Sequence, residues 1–392
     1  MTGSGYLDLV ALRSARRLLT ALVVAWTSFG MVGLALFLTA HRATGSTRTA
    51  GFVVAAFSVG SAVCSPLRGR LIDRRGARPW LPLLAVAYGV SLAAVLAAGR
   101  TGSPGPVAAV FALTAGATAP PVVATTRGLW STAVEPGLLR RAYALTSLIG
   151  DAGLVIAPVA GGLLFVALPW APLAVCAIAA PVAALIVALI VVQRDSGAAL
   201  PTVGQRAAGG PASRQLRVLL TVSVALGAAL GLVEVTVPAA AARWHVTGDS
   251  GLLLGAFALG SVAGGLWFGR RSWRRPALER YLWAVLALAL LLAPATVATR
   301  PAELAPLLVV AGLAFGPATI SLFEALDAVA PAGSAAALTW VTSAEAAGAA
   351  AGAALAGVVA TGVGTWAPYP VAAALLAAAA SAGLRVGQLP PR

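Results

Sequence analysis

Mostly apolar stretches of about twenty residues recur twelve times along the chain, at 18–40, 50–67, 79–99, 105–126, 142–168, 170–192, 217–241, 250–268, 281–299, 303–325, 335–361 and 367–386. A hydrocarbon core of about 30 Å is crossed by roughly twenty helical residues, and every backbone N–H and C=O inside it must be satisfied within the protein. A chain patterned in this way is expected to fold as an all-α bundle of twelve membrane-crossing helices. With 59% hydrophobic and 10% charged residues over 392 positions, a mean hydropathy of +0.91 excludes a water-soluble globular domain.

The second constraint is internal duplication. Residues 51–75 and 251–275 match at an offset of 200 in nine positions: Gly51/Gly251, Ala56/Ala256, Phe57/Phe257, Gly60/Gly260, Ser61/Ser261, Gly69/Gly269, Arg70/Arg270, Arg74/Arg274 and Arg75/Arg275. Glycines, a phenylalanine and arginines held in register without a gap indicate two copies of one unit. Weaker echoes follow in the same order, among them Ala144-Leu145-Thr146 and Ala337-Leu338-Thr339. The expected architecture is therefore two pseudo-symmetric six-helix bundles, residues 1–192 and 217–392. A glycine- and proline-rich linker, 193–216, joins them.

All 27 basic residues are arginine, and against 12 acidic residues they leave a net charge of +15. A nucleic-acid binder would gather such charge on a soluble face, whereas here it lies in short loops between apolar spans, so no nucleic-acid partner is expected. With the N-terminus inside, 22 arginines fall on the inner side, and only Arg42, Arg48, Arg100, Arg243 and Arg300 fall outside. That bias predicts cytoplasmic termini and a multi-pass protein of the cell (inner) membrane, with anionic lipid as a partner. Cys64 and Cys176 lie inside apolar spans and read as small buried hydrophobes. Stripes at Ala56, Gly60, Cys64 and at Ala256, Gly260, Gly264 are expected to pack across the interface between halves.

The turn after the second span reads Gly69-Arg70-Leu71-Ile72-Asp73-Arg74-Arg75-Gly76-Ala77-Arg78. It closely resembles the loop between helices 2 and 3 of the major facilitator superfamily, Gly-x-x-x-Asp-Arg-x-Gly-Arg-Arg, with Ala77 at a position that is usually basic. The resemblance implies that Gly69, Asp73, Arg74, Gly76 and Arg78 form a conformational latch, Asp73 docking near the start of helix 11. The plainer alternative is that the arginines only set topology. In the second copy Trp273 replaces the aspartate. Gly153, Ala157, Pro158, Gly161 and Gly162 resemble the helix 5 signature Gly-x-x-x-Gly-Pro-x-x-Gly-Gly of the antiporter branch, which exports drugs and metabolites. Helix packing alone is the alternative account of that stripe. A basic residue in the middle of helix 4, usual in that branch, is absent near Ala112.

Charged residues inside a bilayer cost about 3 kcal/mol or more, so each needs a reason. Asp151, Glu234 and Glu345 lie within spans and no basic residue of a span is deep enough to pair with them. Such carboxyls are suited to taking up and releasing a proton, and these three are the proton-coupling candidates; neutral packing roles, or snorkelling for Glu234, are the alternative. Arg127 with Glu324 or Asp327 forms a candidate cytoplasmic gate. Trp26, Thr27 and Phe29 are candidates to line a central cavity, or equally to pack or face lipid.

Only His41 and His245 are available besides the two cysteines, and no metal-ligand spacing, phosphate loop or nucleophile elbow occurs, so an enzyme, a metal site and a cofactor are not expected. The expected function is secondary active transport: export of a small amphipathic molecule, a drug or metabolite, by proton-coupled alternating access in a monomer. A proton-coupled uptake symporter for a sugar or amino acid is the runner-up, and a non-transporting receptor a distant third.

Overall fold

The computed structural model describes residues 6–101, 105–194, 214–329 and 334–387. The first half comprises α1 (Tyr6–Ala11), α2 (Arg13–Phe29), α3 (Val32–Thr44), α4 (Thr47–Arg75), α5 (Ala77–Arg100), α6 (Gly105–Thr118), α7 (Val122–Ala133), α8 (Pro136–Ala167) and α9 (Ala171–Arg194). The second comprises α10 (Arg214–Arg243), α11 (Ser250–Gly269), α12 (Ala277–Leu292), α13 (Pro301–Val329), α14 (Ser334–Gly362) and α15 (Pro368–Gly387). Among the described residues, eleven helical segments are long and apolar enough to cross a membrane. The twelfth expected span, 367–386, coincides with α15, a 20-residue helix packed on α10 and α12. Most of the expected linker lies outside the described residues.

Small residues set the packing within each half. In a bilayer there is little hydrophobic drive between helices, so association depends on close van der Waals approach. Gly60 of α4 and Gly116 of α6 meet the opposite backbone so tightly that a Cβ at Gly60 would overlap the Leu113 carbonyl and one at Gly116 the Phe57 carbonyl. The second half repeats this: Gly260 and Gly264 of α11 face the Val309 and Leu313 carbonyls of α13, and Gly312 and Gly316 return the contact. These stripes therefore bind neighbours inside each bundle, and the expectation that they pack across the halves is corrected. The first turn of each repeat also crosses to the other half. Gly51 lies against Ala353 and Gly357 of α14, and Gly251 lies against Pro158 and Gly162 of α8.

Two expected single helices are broken. The first span divides at Gly30–Met31, where the Met31 N–H turns to the Ser28 carbonyl (3.2 Å) instead of the carbonyl four residues back. No proline causes this. Gly30 is pressed against the Gly153 carbonyl and the Ala157 side chain of α8, an approach that only a residue without Cβ permits. The fourth span divides at residues 119–121, and its second piece, α7, continues past the expected end to Ala133. Near the turn between α4 and α5 the chain reverses through one residue, Gly76, at φ +85°, a conformation natural to glycine.

Some buried hydroxyls tie helices together in both bundles. Ser28, Tyr88 and Cys176 join α2, α5 and α9: the Ser28 and Tyr88 hydroxyls are 2.9 Å apart and Ser28 donates to the Cys176 carbonyl at 3.1 Å. Ser223 and Tyr281 approach to 3.4 Å between α10 and α12. Trp130 Nε1 donates to Thr146 Oγ1 at 3.0 Å, tying α7 to α8.

Candidate functional site

The seam between halves is formed by α4 with α14, α8 with α11, and α3 with α10. The contacts just described for Gly51 and Gly251 lie at the arginine-poor end of the bundle, at the starts of α4 and α11. At the arginine-rich end, Gly69, Gly76 and Gly269 have nothing within 4 Å of where a Cβ would sit.

Glu234 lies in this seam. It is on α10, twenty residues from the helix start at Arg214, and a Cβ on Gly33 of α3 would overlap its Oε1 and approach its Cδ to 2.6 Å. The carboxyl is thus seated on the one α3 position without a side chain, one turn beyond the break in the first span. It makes no ion pair among the described residues. Four residues on, Pro238 cannot donate to the Glu234 carbonyl, so α10 lacks a helix hydrogen bond at this level.

Glu345 sits elsewhere. Its backbone carbonyl faces Gly227 of α10, and its carboxyl is close enough to the Tyr281 hydroxyl to act on it electrostatically. It therefore belongs to the interior of the second bundle. Asp151 is on α8, but its side chain and that of Asp73 are outside the described residues.

The glycine-rich segment of α8 joins two surfaces. Gly150 and Gly153 take the Trp26 indole, Ala157 takes Gly30, and Gly161 meets Met31. Pro158 and Gly162 instead face Gly248 and Gly251 across the seam. Trp26 is consequently packed between helices, its Nε1 buried without a partner, while Thr27 donates back to the Val23 and Val24 carbonyls at 3.0 Å. Phe29 is half-buried against both hydrophobic cores.

In the loop motif, Gly76 makes the turn, whereas Gly69 is inside α4 with open space around it. Arg74, Arg78, Arg127 and Asp327 are exposed. Glu324 accepts from Arg280 Nη2 at 2.6 Å. Glu324 is thus held by α12, the direct neighbour of α13, and not by Arg127 in this structure.

One charged residue escaped the sequence reading, which counted it only toward topology. Arg68 of α4 is 8% exposed, and its Nη1 donates to the carbonyls of Gly116 and Ala117, the latter at 2.9 Å. The signal available in sequence was the pair Pro120-Pro121, which deprives those two carbonyls of their i+4 donors.

With this geometry in place, comparison with known proteins is direct. The family model for the Major Facilitator Superfamily matches residues 18–353. No curated protein is significantly similar in sequence. Among solved structures, the nucleoside transporter NupG is similar at a TM-score of 0.70, with 14% identity over 95% of this chain and 100% of that one. A POT family transporter in complex with 5-aminolevulinic acid gives 0.73, at 11% identity over 98% and 97%. A bacterial homologue of the iron transporter ferroportin gives 0.72 in its inward-facing state, at 16% identity over 98% and 100%, and 0.65 in its outward-facing state, at 18% over 96% and 98%. These likenesses are of fold, and together with the family match they identify the chain as a transporter belonging to the Major Facilitator Superfamily.

Proposed function

We propose that this transporter exports a small amphipathic organic molecule, a drug or metabolite, by alternating access coupled to proton entry. The observation that carries the reading is the Glu234 carboxyl seated on Gly33, at an interface between two bundles and without a counter-charge among the described residues. A carboxyl in such a seam binds a proton in one arrangement of the halves and loses it in another, so protonation and opening become linked. Asp151 and Glu345 are the secondary candidates. The scarcity of charged residues within the spans favours an amphipathic cargo over a dianion, and the glycine-rich segment of α8 resembles that of exporters.

The halves are 1–192 and 217–392 and move as units about the seam, with 193–216 as a cytoplasmic linker and both termini cytoplasmic in the cell membrane. The arginine-poor end is then external and closed, and the open surroundings of Gly69, Gly76 and Gly269 belong to an inward-facing state. The higher similarity to the inward-facing form of the ferroportin homologue supports this. Asp73 would latch the inner ends in the opposite state, with Arg127 and Asp327 at the inner gate. The protein works as a monomer on anionic lipid.

The test uses inverted vesicles acidified inside and loaded with a pH dye, to which ethidium and a panel of amphipathic drugs are added. Proton release that depends on an added compound and on the protein is the expected result. Compound accumulation without proton movement contradicts coupling, and proton movement in the reverse sense assigns the protein to uptake.

A further inference from the structure

An α-helix satisfies each carbonyl from the N–H four residues on, and proline has no N–H. Pro120 and Pro121 therefore remove the i+4 donors of the Gly116 and Ala117 carbonyls, inside the membrane where water cannot substitute, and Gly116 keeps only a long contact from the Ala119 N–H at 3.4 Å. These are the two carbonyls that Arg68 Nη1 reaches from α4, while Nη2 lies 3.5 Å from the Ser61 carbonyl. The guanidinium has no carboxylate partner among the described residues. Its charge is balanced by the negative end of α6, whose last carbonyls it caps.

Beyond the cap the chain does not resume as a helix at once. Pro121 adopts φ −78° and ψ 55°, and the Val122 N–H donates to the Pro120 carbonyl at 2.8 Å, an inverse γ-turn. The second half is built differently at this point. Phe268 stands 200 residues after Arg68, a single proline, Pro317, takes the place of the Pro120-Pro121 pair, and α13 runs unbroken from Pro301 to Val329. The freed Leu313 carbonyl there faces Gly264 instead of a donor.

We infer that Arg68 is the pin of a hinge: by replacing two helix hydrogen bonds from outside, it holds the fourth span in two pieces and lets α7, which carries Arg127, turn relative to α6. It is a positioning residue, and the inference does not depend on the cargo, the direction of transport or proton coupling. A guanidinium suits the role because one nitrogen presents two N–H groups to two adjacent carbonyls.

The experiment is a mutual-suppression cycle on the purified full chain, read by thermal unfolding and by the distance between spin labels at Val110→Cys and Ala124→Cys, both exposed positions, in a Cys64→Ala/Cys176→Ala background. Arg68→Leu orphans the Ala117 carbonyl, leaves that of Gly116 only its long Ala119 contact, and is expected to lower the unfolding temperature by about 5 °C or more, with Arg68→Lys losing less. Pro120→Ala/Pro121→Ala restores the helix donors but strands the guanidinium, and is also expected to destabilise. The triple variant Arg68→Leu/Pro120→Ala/Pro121→Ala should recover wild-type stability, with a narrow label distance near the ~21 Å of fourteen residues in a straight helix. The wild-type distance should be shorter and broader. The inference is overturned if Arg68→Leu unfolds at the wild-type temperature, or if the triple variant is no more stable than Arg68→Leu or keeps the wild-type distance distribution.

Discussion

The two halves share a plan and differ in how their central helices cross the membrane. In the first half both are in pieces, α2 with α3 and α6 with α7, whereas in the second α10 and α13 are continuous although each contains proline, Pro238 and Pro317. The difference extends to the corner after the repeated helix. In the second half Phe268 stacks on Trp273 at 4.6 Å, Trp273 Nε1 donates to the Phe268 carbonyl at 3.0 Å, and Arg280 lies over the Phe268 ring while pairing with Glu324. In the first half the matching positions are Arg68, spent on α6, and Asp73. Two copies that began alike have thus become a jointed half and a stiffened half, with the joint near the arginine-rich end.

The comparison can be broken most severely at its common part. Gly116→Val and Gly312→Val each place side-chain carbon on a facing carbonyl, of Phe57 and Phe257, and should cost about 3 kcal/mol or prevent folding in equal measure. Denaturation of the detergent-solubilised variants checks this, and a large difference between them would mean that the shared packing is not equivalent. A smaller, asymmetric effect is expected from exchanging the residues that differ. Arg68→Phe should lose about 2–3 kcal/mol through a charge-assisted donor removed from two buried carbonyls, and Phe268→Arg about 1 kcal/mol through its lost stack. Equal losses would remove the distinction between the halves. The smallest effect belongs to Arg280 and Glu324. With Glu324 half exposed, Glu324→Gln should change unfolding by no more than about 1 kcal/mol, and a larger loss would show that the ion pair, not the aromatic stack, stiffens that corner.

Much of the fold is legible in the sequence because lipid leaves few options. An apolar run of sufficient length has to be a helix, and the offset of 200 exposes the two-bundle plan. The breaks are less legible for different reasons. At Gly30–Met31 the cause is tertiary, the α8 backbone pressing on Gly30, and nothing local to 18–40 announces it. At Pro120-Pro121 the interruption is visible, but the donor that serves it comes from 52 residues away, and Arg68 looked like one more inside arginine. Glycine stripes show that a helix packs closely without showing against which neighbour, which is why Gly60 and Gly260 were expected at the seam. Glu234 could be recognised as an unpaired intramembrane acid, yet its seat on Gly33 depends on how the halves meet.

That seat is also where the account is most directly tested. Glu234→Gln keeps the shape and removes the ionisable group, so reconstituted protein carrying it should fold and bind like the wild type while compound-driven proton flux, followed with a trapped pH dye, falls by about 100-fold. Undiminished coupled flux in Glu234→Gln would contradict a coupling role for the residue between the halves.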